Sequence, residues 1–246
     1  MRGDCMAKEV IVKAGKIKHI RLLARVMRIS MFSIVGFMCL LYGVLSLVYK
    51  EGRFTVEIGS DNGSQGNSGL AIFEDLNSAQ ASRKLSADPL KKMDNIDSSW
   101  ISPNVDKEKD GPHNGDNYIA YSFYVENQGD TAFHYWYEII VDSIVKNVDD
   151  AIRVRIYRNG EETTYAKMAA NGSPEPGTTP FVIDSSKDLV GQSIISERRD
   201  NMEPGDLDRF TIVIWLHGPD PECIDNIIGG AIKMHMKISE QPIGIS

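Results

Sequence analysis

From residue 29 to residue 49 the chain reads ISMFSIVGFMCLLYGVLSLVY, twenty-one positions without a charged side chain. At about 1.5 Å rise per residue, a helix of that length reaches the roughly 30 Å of a bilayer's hydrocarbon core. Ahead of it, eight Lys or Arg (Arg2, Lys8, Lys13, Lys16, Lys18, Arg21, Arg25, Arg28) stand against Asp4 and Glu9, a head of +6. Behind it come only Lys50 and Arg53, with Glu51 between them. This asymmetry predicts a transmembrane helix with a cytoplasmic N-terminus at the plasma membrane and an exported C-terminal domain. A cleaved signal peptide would need a shorter apolar core and an A-x-A-like site. The exit LSLVYKEG offers only Ser46 and Val48, so a retained anchor is expected. Tyr42 and Tyr49 suit the outer headgroups, and residues 17–27 (IKHIRLLARVM) suit a basic amphipathic helix on the inner leaflet or a plain topogenic charge cluster. Met6 offers a second start.

The whole-chain charge of −7 and pI of 5.3 describe neither half, because removing the +6 head leaves −13 on the remainder. An acidic exported part argues against nucleic acid as a partner. Cys5, Cys39 and Cys223 lie in the head, the apolar run and the C-terminal region, so no internal disulfide framework is expected. Cys223 reads as a small, partly buried thiol, with cross-linking of two chains as the alternative. The domain must hold by its own core.

Residues 54–58 (FTVEI) alternate like a strand, and residues 59–69 (GSDNGSQGNSG) read as a flexible linker. Leu70 to Phe73 form a short apolar patch, and VDKEKDGPHNGD (105–116) reads as exposed loop. Two β-rich runs, 118–126 (YIAYSFYVE) and 131–141 (TAFHYWYEIIV), flank NQGD and predict a hairpin. Their aromatic residues occupy both parities, which calls for a second covering sheet or an exposed binding strip. A second hairpin is predicted where 151–158 (AIRVRIYR) meets Asn159-Gly160, the φ > 0 pair of a type I′ turn, and 161–168 returns. After a long loop at 169–180 come a short strand at 181–183, a polar excursion, an EPGD turn at 203–206, a strand at 207–216 and a closing strand at 231–238. Asp220 is expected to cap a short helix with Pro221 at its first position, ended by Gly229-Gly230.

Seven or so short strands and no long amphipathic helix beyond the anchor predict a mainly β chain, an antiparallel β-sandwich of jelly-roll or Ig-like type. The expected organisation is a basic cytoplasmic segment (1–28), a transmembrane helix (29–49), a first strand with linker (50–69), an extracytoplasmic sandwich (70–240) and a tail (241–246).

Chemistry is hard to find. His19, His113, His134, His217 and His235 form no H-E-x-x-H helix, no G-x-S-x-G elbow occurs, and the glycines at 59, 63, 66 and 69 lack a phosphate-loop context. The most suggestive cluster is the acidic loop with Asp220, Glu222 and Asp225, three carboxylates that could hold a hard cation such as calcium. Helix capping and dipole compensation explain the same residues. No catalytic residue and no cofactor are expected.

The blocks NYIAYSFYVENQG, AIRVRIYRNGEETTYAK and TIVIWLHGPDPECIDNIIGGAIKMHMK, over roughly residues 54–239, resemble a clostridial-type family of membrane-anchored proteins. The N-terminal apolar segment followed by FTVEI, the EPGD turn and the closing strand after IIGG more distantly resemble the exported β-sandwich proteins of Gram-positive bacteria related to TasA and camelysin. That resemblance implies a cell-surface or biofilm-matrix role, or a casein-cleaving activity whose catalytic motif has no counterpart here. The expected function is an anchored structural or interaction module, with the bilayer as partner through residues 29–49 and self-association or other surface proteins as further partners. A camelysin-like metal-dependent hydrolase and the ectodomain of an envelope sensing system are the alternatives.

Overall fold

The computed structural model describes residues 15–49, 53–59, 69–77, 80–90 and 92–243 of the chain. They fall in two compact units, Met1–Glu51 and Gly52–Ser246. In the first, one uninterrupted helix, α1 (Gly15–Tyr49), carries the basic stretch and the apolar run together. Its stretch Arg25–Gly43 has a mean hydropathy of 1.7 and no buried residue, a length and composition able to cross a membrane and equally met by a signal sequence. Cys5 and Met6 lie outside the described residues, as does most of the linker read at 59–69.

The second unit is mainly β. Its strands are β1 (Thr55–Ile58), β2 (Leu70–Phe73), β3 (Lys84–Ser86), β4 (Gly111–Pro112), β5 (Tyr118–Asn127), β6 (Phe133–Val145), β7 (Ile152–Arg158), β8 (Glu161–Ala166), β9 (Thr179–Pro180), β10 (Ser193–Met202), β11 (Leu207–Leu216) and β12 (Ala231–Pro242). A five-stranded sheet has the order β10-β6-β12-β1-β3, and a seven-stranded sheet has the order β2-β5-β11-β7-β8-β9 with β4 also on β5. Both are mixed rather than purely antiparallel: β1 runs parallel to β12, and β8 parallel to β9. β12 carries on to Pro242, so the last strand enters the segment read as tail.

The expected hairpin of 118–126 with 131–141 does not form. β5 pairs with β11 in one sheet, and β6 pairs with β10 and β12 in the other. Alternation shows which residues turn inward, but not whether two strands lie side by side or face each other across a core. Residues 128–132 make a corner between sheets, and 203–206 makes a second one from β10 to β11. The predicted β7–β8 hairpin does form, with Arg158 opposite Glu161 and φ of 53° at Asn159 and 85° at Gly160.

β10 was read as part of a polar excursion. Its SERRD stretch hides the strand, because β10 is an edge strand anchored by buried Ile194, Ile195 and Met202. Val56, Tyr135, Ile139 and Met236 of one sheet and Tyr121, Phe123, Ile156 and Phe210 of the other belong to one buried cluster. Within it Phe123 stacks on Phe210 at 5.3 Å, and Tyr137 meets Phe210 edge-on at 5.2 Å. The outer parity of β5 is covered too, although not by a sheet. Ile96, Ile101 and Val105 pack against Ala120, Val213 and Trp215. The loop read as exposed is therefore partly internal. Val105 and His113 are buried, and the His113 ring nitrogens lie 2.8 Å from Gly111 O and 3.0 Å from Val105 O.

Candidate functional site

The register of the strands sorts the loops into two ends. At one end β5, β7 and β10 finish and β6, β8 and β11 begin. Asn127, 1% exposed, is its hub. The Asn127 side-chain amide donates to Thr131 O (3.0 Å) and Met202 O (2.8 Å), while its carbonyl accepts from Gly129 N (2.9 Å). A Cβ on Gly69 would stand 2.8 Å from both Asn127 Oδ1 and the Gly129 backbone, so only glycine fits there. Nearby, Tyr135 Oη donates to Asp208 Oδ2 at 2.5 Å across the two sheets, and Asn159 Nδ2 donates to Asp208 Oδ1 at 2.7 Å. Burial, with the Asp208 charge beside it, pushes the Tyr135 phenol far up, so it stays a donor.

At the other end β6, β8 and β11 finish and β7, β10 and β12 begin, and here lies the acidic loop. Arg153 of β7, only 2% exposed, reaches Asp220 Oδ2 at 2.5 Å and Glu175 Oε2 at 3.2 Å. Glu175, Asp220 and Glu222 bring ligand oxygens within 4.8 Å of one another, a donor set of the kind hard cations take. The expected trio is thus redrawn. Asp220 and Glu222 come together, Glu175 from the distant 169–180 loop joins them, and Asp225 stands apart at the start of a 3-10 turn (Asp225–Ile227). That turn replaces the expected capped helix. Asp220 Oδ1 still accepts from Glu222 N (2.8 Å), but its main partner is a buried guanidinium no local pattern announces.

Within the cluster the guanidinium stands where a cation would be drawn. Each acid is already engaged, with Glu222 Oε1 accepting from Ala170 N at 3.0 Å. Burial, reinforced by Asp220, pushes the Glu175 carboxyl up. Burial acts the same way on Asp220, but contacts with Glu222 and Arg153 outweigh it and hold that carboxyl low. Burial, then Arg153, depresses the neighbouring His217, while burial, then Asp220, raises the Cys223 thiol. A raised thiol is the reverse of the thiolate that an activated Cys–His pair requires. Trp215 Nε1 and His217 Nδ1 find no hydrogen-bond partner among the described residues.

His134 and His235 are held structurally. His134 Nδ1 accepts from Asn201 N at 3.0 Å, and His235 Nδ1 lies 2.8 Å from Asp142 Oδ1. A shallow groove of about 430 Å³, which no sequence pattern suggested, is lined by Lys107, Lys109, Asp110, Tyr124 and Arg209. Arg209 is held there by Asp110 and Tyr124 Oη, each at 3.2 Å. Its guanidinium also covers the Tyr124 ring at 5.8 Å, which leaves the lysines as the groove's exposed cations.

A scan against protein-family models matches none of them, and a search of the curated proteins finds no match to this chain.

Proposed function

We propose that this chain is a membrane-anchored extracytoplasmic structural or interaction module that performs no chemistry. The observation that carries the reading is the exposed apolar surface of α1 over Arg25–Gly43, which is stable in lipid and unfavourable in water. The basic head supports a cytoplasmic N-terminus, and the two sheets with their common core support a β-sandwich at the cell surface. The ionisable groups support a module without chemistry. Arg153 is paired with Asp220 and Glu175, Lys167 bridges Asp149 and Asp150 at 2.6 and 2.7 Å, and burial raises the Cys223 thiol and disfavours its nucleophilic thiolate.

The resemblance to TasA-like and camelysin-like surface proteins agrees with a matrix or adhesion role. Partners would be a second copy or other surface proteins. Edge pairing is discouraged at β10, where Glu197, Arg198, Arg199 and Asp200 line the strand, so side-chain faces are the better contact surface. Protease added to intact cells should digest the β-domain and leave a membrane-bound fragment containing α1. A β-domain untouched by that treatment, or full-length protein in the soluble fraction, overturns the reading. Casein cleavage by the purified chain in the presence of calcium or zinc would favour the hydrolase instead.

A further inference from the structure

We infer that the cleft beneath the 105–113 loop binds a small zwitterion, its ammonium against the Asp106 carboxylate and its phosphoryl or carboxylate group against Lys107 and Lys109. The inference concerns the β-domain alone and goes beyond the interaction role proposed above, on which it does not rest. The floor of the cleft is the outer face of the seven-stranded sheet. Arg209 lies opposite Tyr124 there, and Thr211 lies opposite Ser122 on one side and Tyr157 on the other. Strand alternation therefore puts Arg209, Thr211, Tyr124 and Tyr157 on one face.

The wall is the loop itself, which is fixed at both ends. Val105 is buried in a cluster with Ile96, Ile101, Tyr157 and Trp215, while Gly111 and Pro112 pair with β5. The His113 ring joins the two ends, its nitrogens facing the carbonyls of Gly111 and Val105. Between them the 3-10 turn Val105–Lys107 leaves Asp106 only 7% exposed and Lys107 open to solvent. A more enclosed recess of about 180 Å³ is lined by Asp106, Lys107, Tyr157, Arg209 and Thr211. It shares Lys107 and Arg209 with the groove of about 430 Å³, so the two adjoin, and the groove alone falls in the range of small-molecule sites, about 300–1,000 Å³.

Pairing decides which charges are left for a ligand. Asp110 is taken by Arg209 at 3.2 Å and by Tyr124 Oη at 2.9 Å, and Arg209 also donates to Lys109 O at 3.2 Å. The ammonium groups of Lys107 and Lys109 make no ion pair among the described residues. Asp106 is the sharper case, because its carboxylate is buried yet has neither a hydrogen bond nor an ion pair among the described residues. A buried carboxylate without a partner is costly, and a ligand ammonium would offset that cost. An anion alone would meet Asp106 on a chain whose charge beyond the basic head is −13, and a cation alone would meet two lysines. A ligand carrying both charges suits all three groups at once. Because the loop is pinned before anything binds, little ordering is needed to admit it.

Isothermal titration of the full chain in a nonionic detergent tests this with probes that differ by one charge: β-alanine against propionate, 2-aminoethylphosphonate against ethylphosphonate, and ethylamine alone. At least one zwitterion should bind about tenfold tighter than its amine-free analogue and than ethylamine, and the tighter zwitterion identifies the anionic group. Asp106→Asn should abolish the preference for the amine. Lys107→Gln combined with Lys109→Gln should weaken zwitterion binding about tenfold. Both lysines are exposed, so the double variant should keep its melting temperature, and it carries the test if Asp106→Asn melts early. No binding of either zwitterion at millimolar concentration, or equal affinity for the amine-free analogues, overturns the inference. Zwitterion binding that the folded variants do not weaken also overturns it, since the ligand would then sit elsewhere on the chain.

Discussion

The two ends of the β-domain solve the same problem in opposite ways. Each must turn several strands between two sheets and satisfy the backbone groups exposed in doing so. The Asn127 end does it chiefly through one buried amide serving both inter-sheet corners and an Asp208–Tyr135 hydrogen bond crossing the sheets, with Arg199 beside Asp208 at 3.3 Å. The Arg153 end does it with charge, a buried guanidinium gathering carboxylates from two loops 45 residues apart in sequence, at Glu175 and Asp220. Both ends leave apolar side chains in the open, Ile224 and Ile228 at this one and Leu207 and Ile243 at the other.

The largest effect expected from breaking this contrast is at Arg153. Arg153→Ala strands two buried carboxylates and should cost about 3–5 kcal/mol, read from denaturant unfolding. A loss under about 1 kcal/mol would mean that the acids relax into water and the cluster is not structural. At the opposite end, Asn127→Ala removes three hydrogen bonds from a buried corner and should cost about 1–3 kcal/mol. A cost at Asn127 above that at Arg153 would invert the comparison.

Acid should separate the ends further. Asp220's carboxyl is held below its ordinary 3.8, so its contribution is present above that pH and is lost as pH falls through the depressed folded value. Glu175's carboxyl is raised from 4.5, so its contribution has the opposite sign. It is present below 4.5 and is lost as pH rises through the raised value. In stability–pH curves, Asp220→Asn should flatten the limb below 3.8 and Glu175→Gln the limb above 4.5. Asn127→Ala should move the whole curve without changing its shape.

The smallest effect on stability is expected at the exposed isoleucines. Ile224→Asp and Ile228→Asp should change unfolding by no more than about 0.5 kcal/mol.

Much of this was legible in local patterns. The Asn159-Gly160 turn needs two left-handed residues in a row, and that sequence supplies them wherever it sits. The strand 207–216 after EPGD is likewise local, and the structure has it at those residues. β10 was missed because its anchor residues are few and an edge strand can carry charge on its open side. The corner at 128–132 was misread because alternation is the same for paired strands and for strands that face each other. At the acidic loop, Asp220 and Glu222 were visible as a cluster. Glu175 and Arg153 were not, since nothing in AANGSPEPGTTP or AIRVRIYR marks which side chains will meet across a core.

By itself the sequence determined the run of uncharged residues, the charge imbalance around it, the strand-forming segments and the turns whose glycines demand positive φ, all of which depend on neighbours along the chain. Only the tertiary structure decided which strands pair, which of them run parallel, and that a buried guanidinium occupies the acidic loop. Those outcomes depend on contacts between residues tens of positions apart, whose free energy no local window contains.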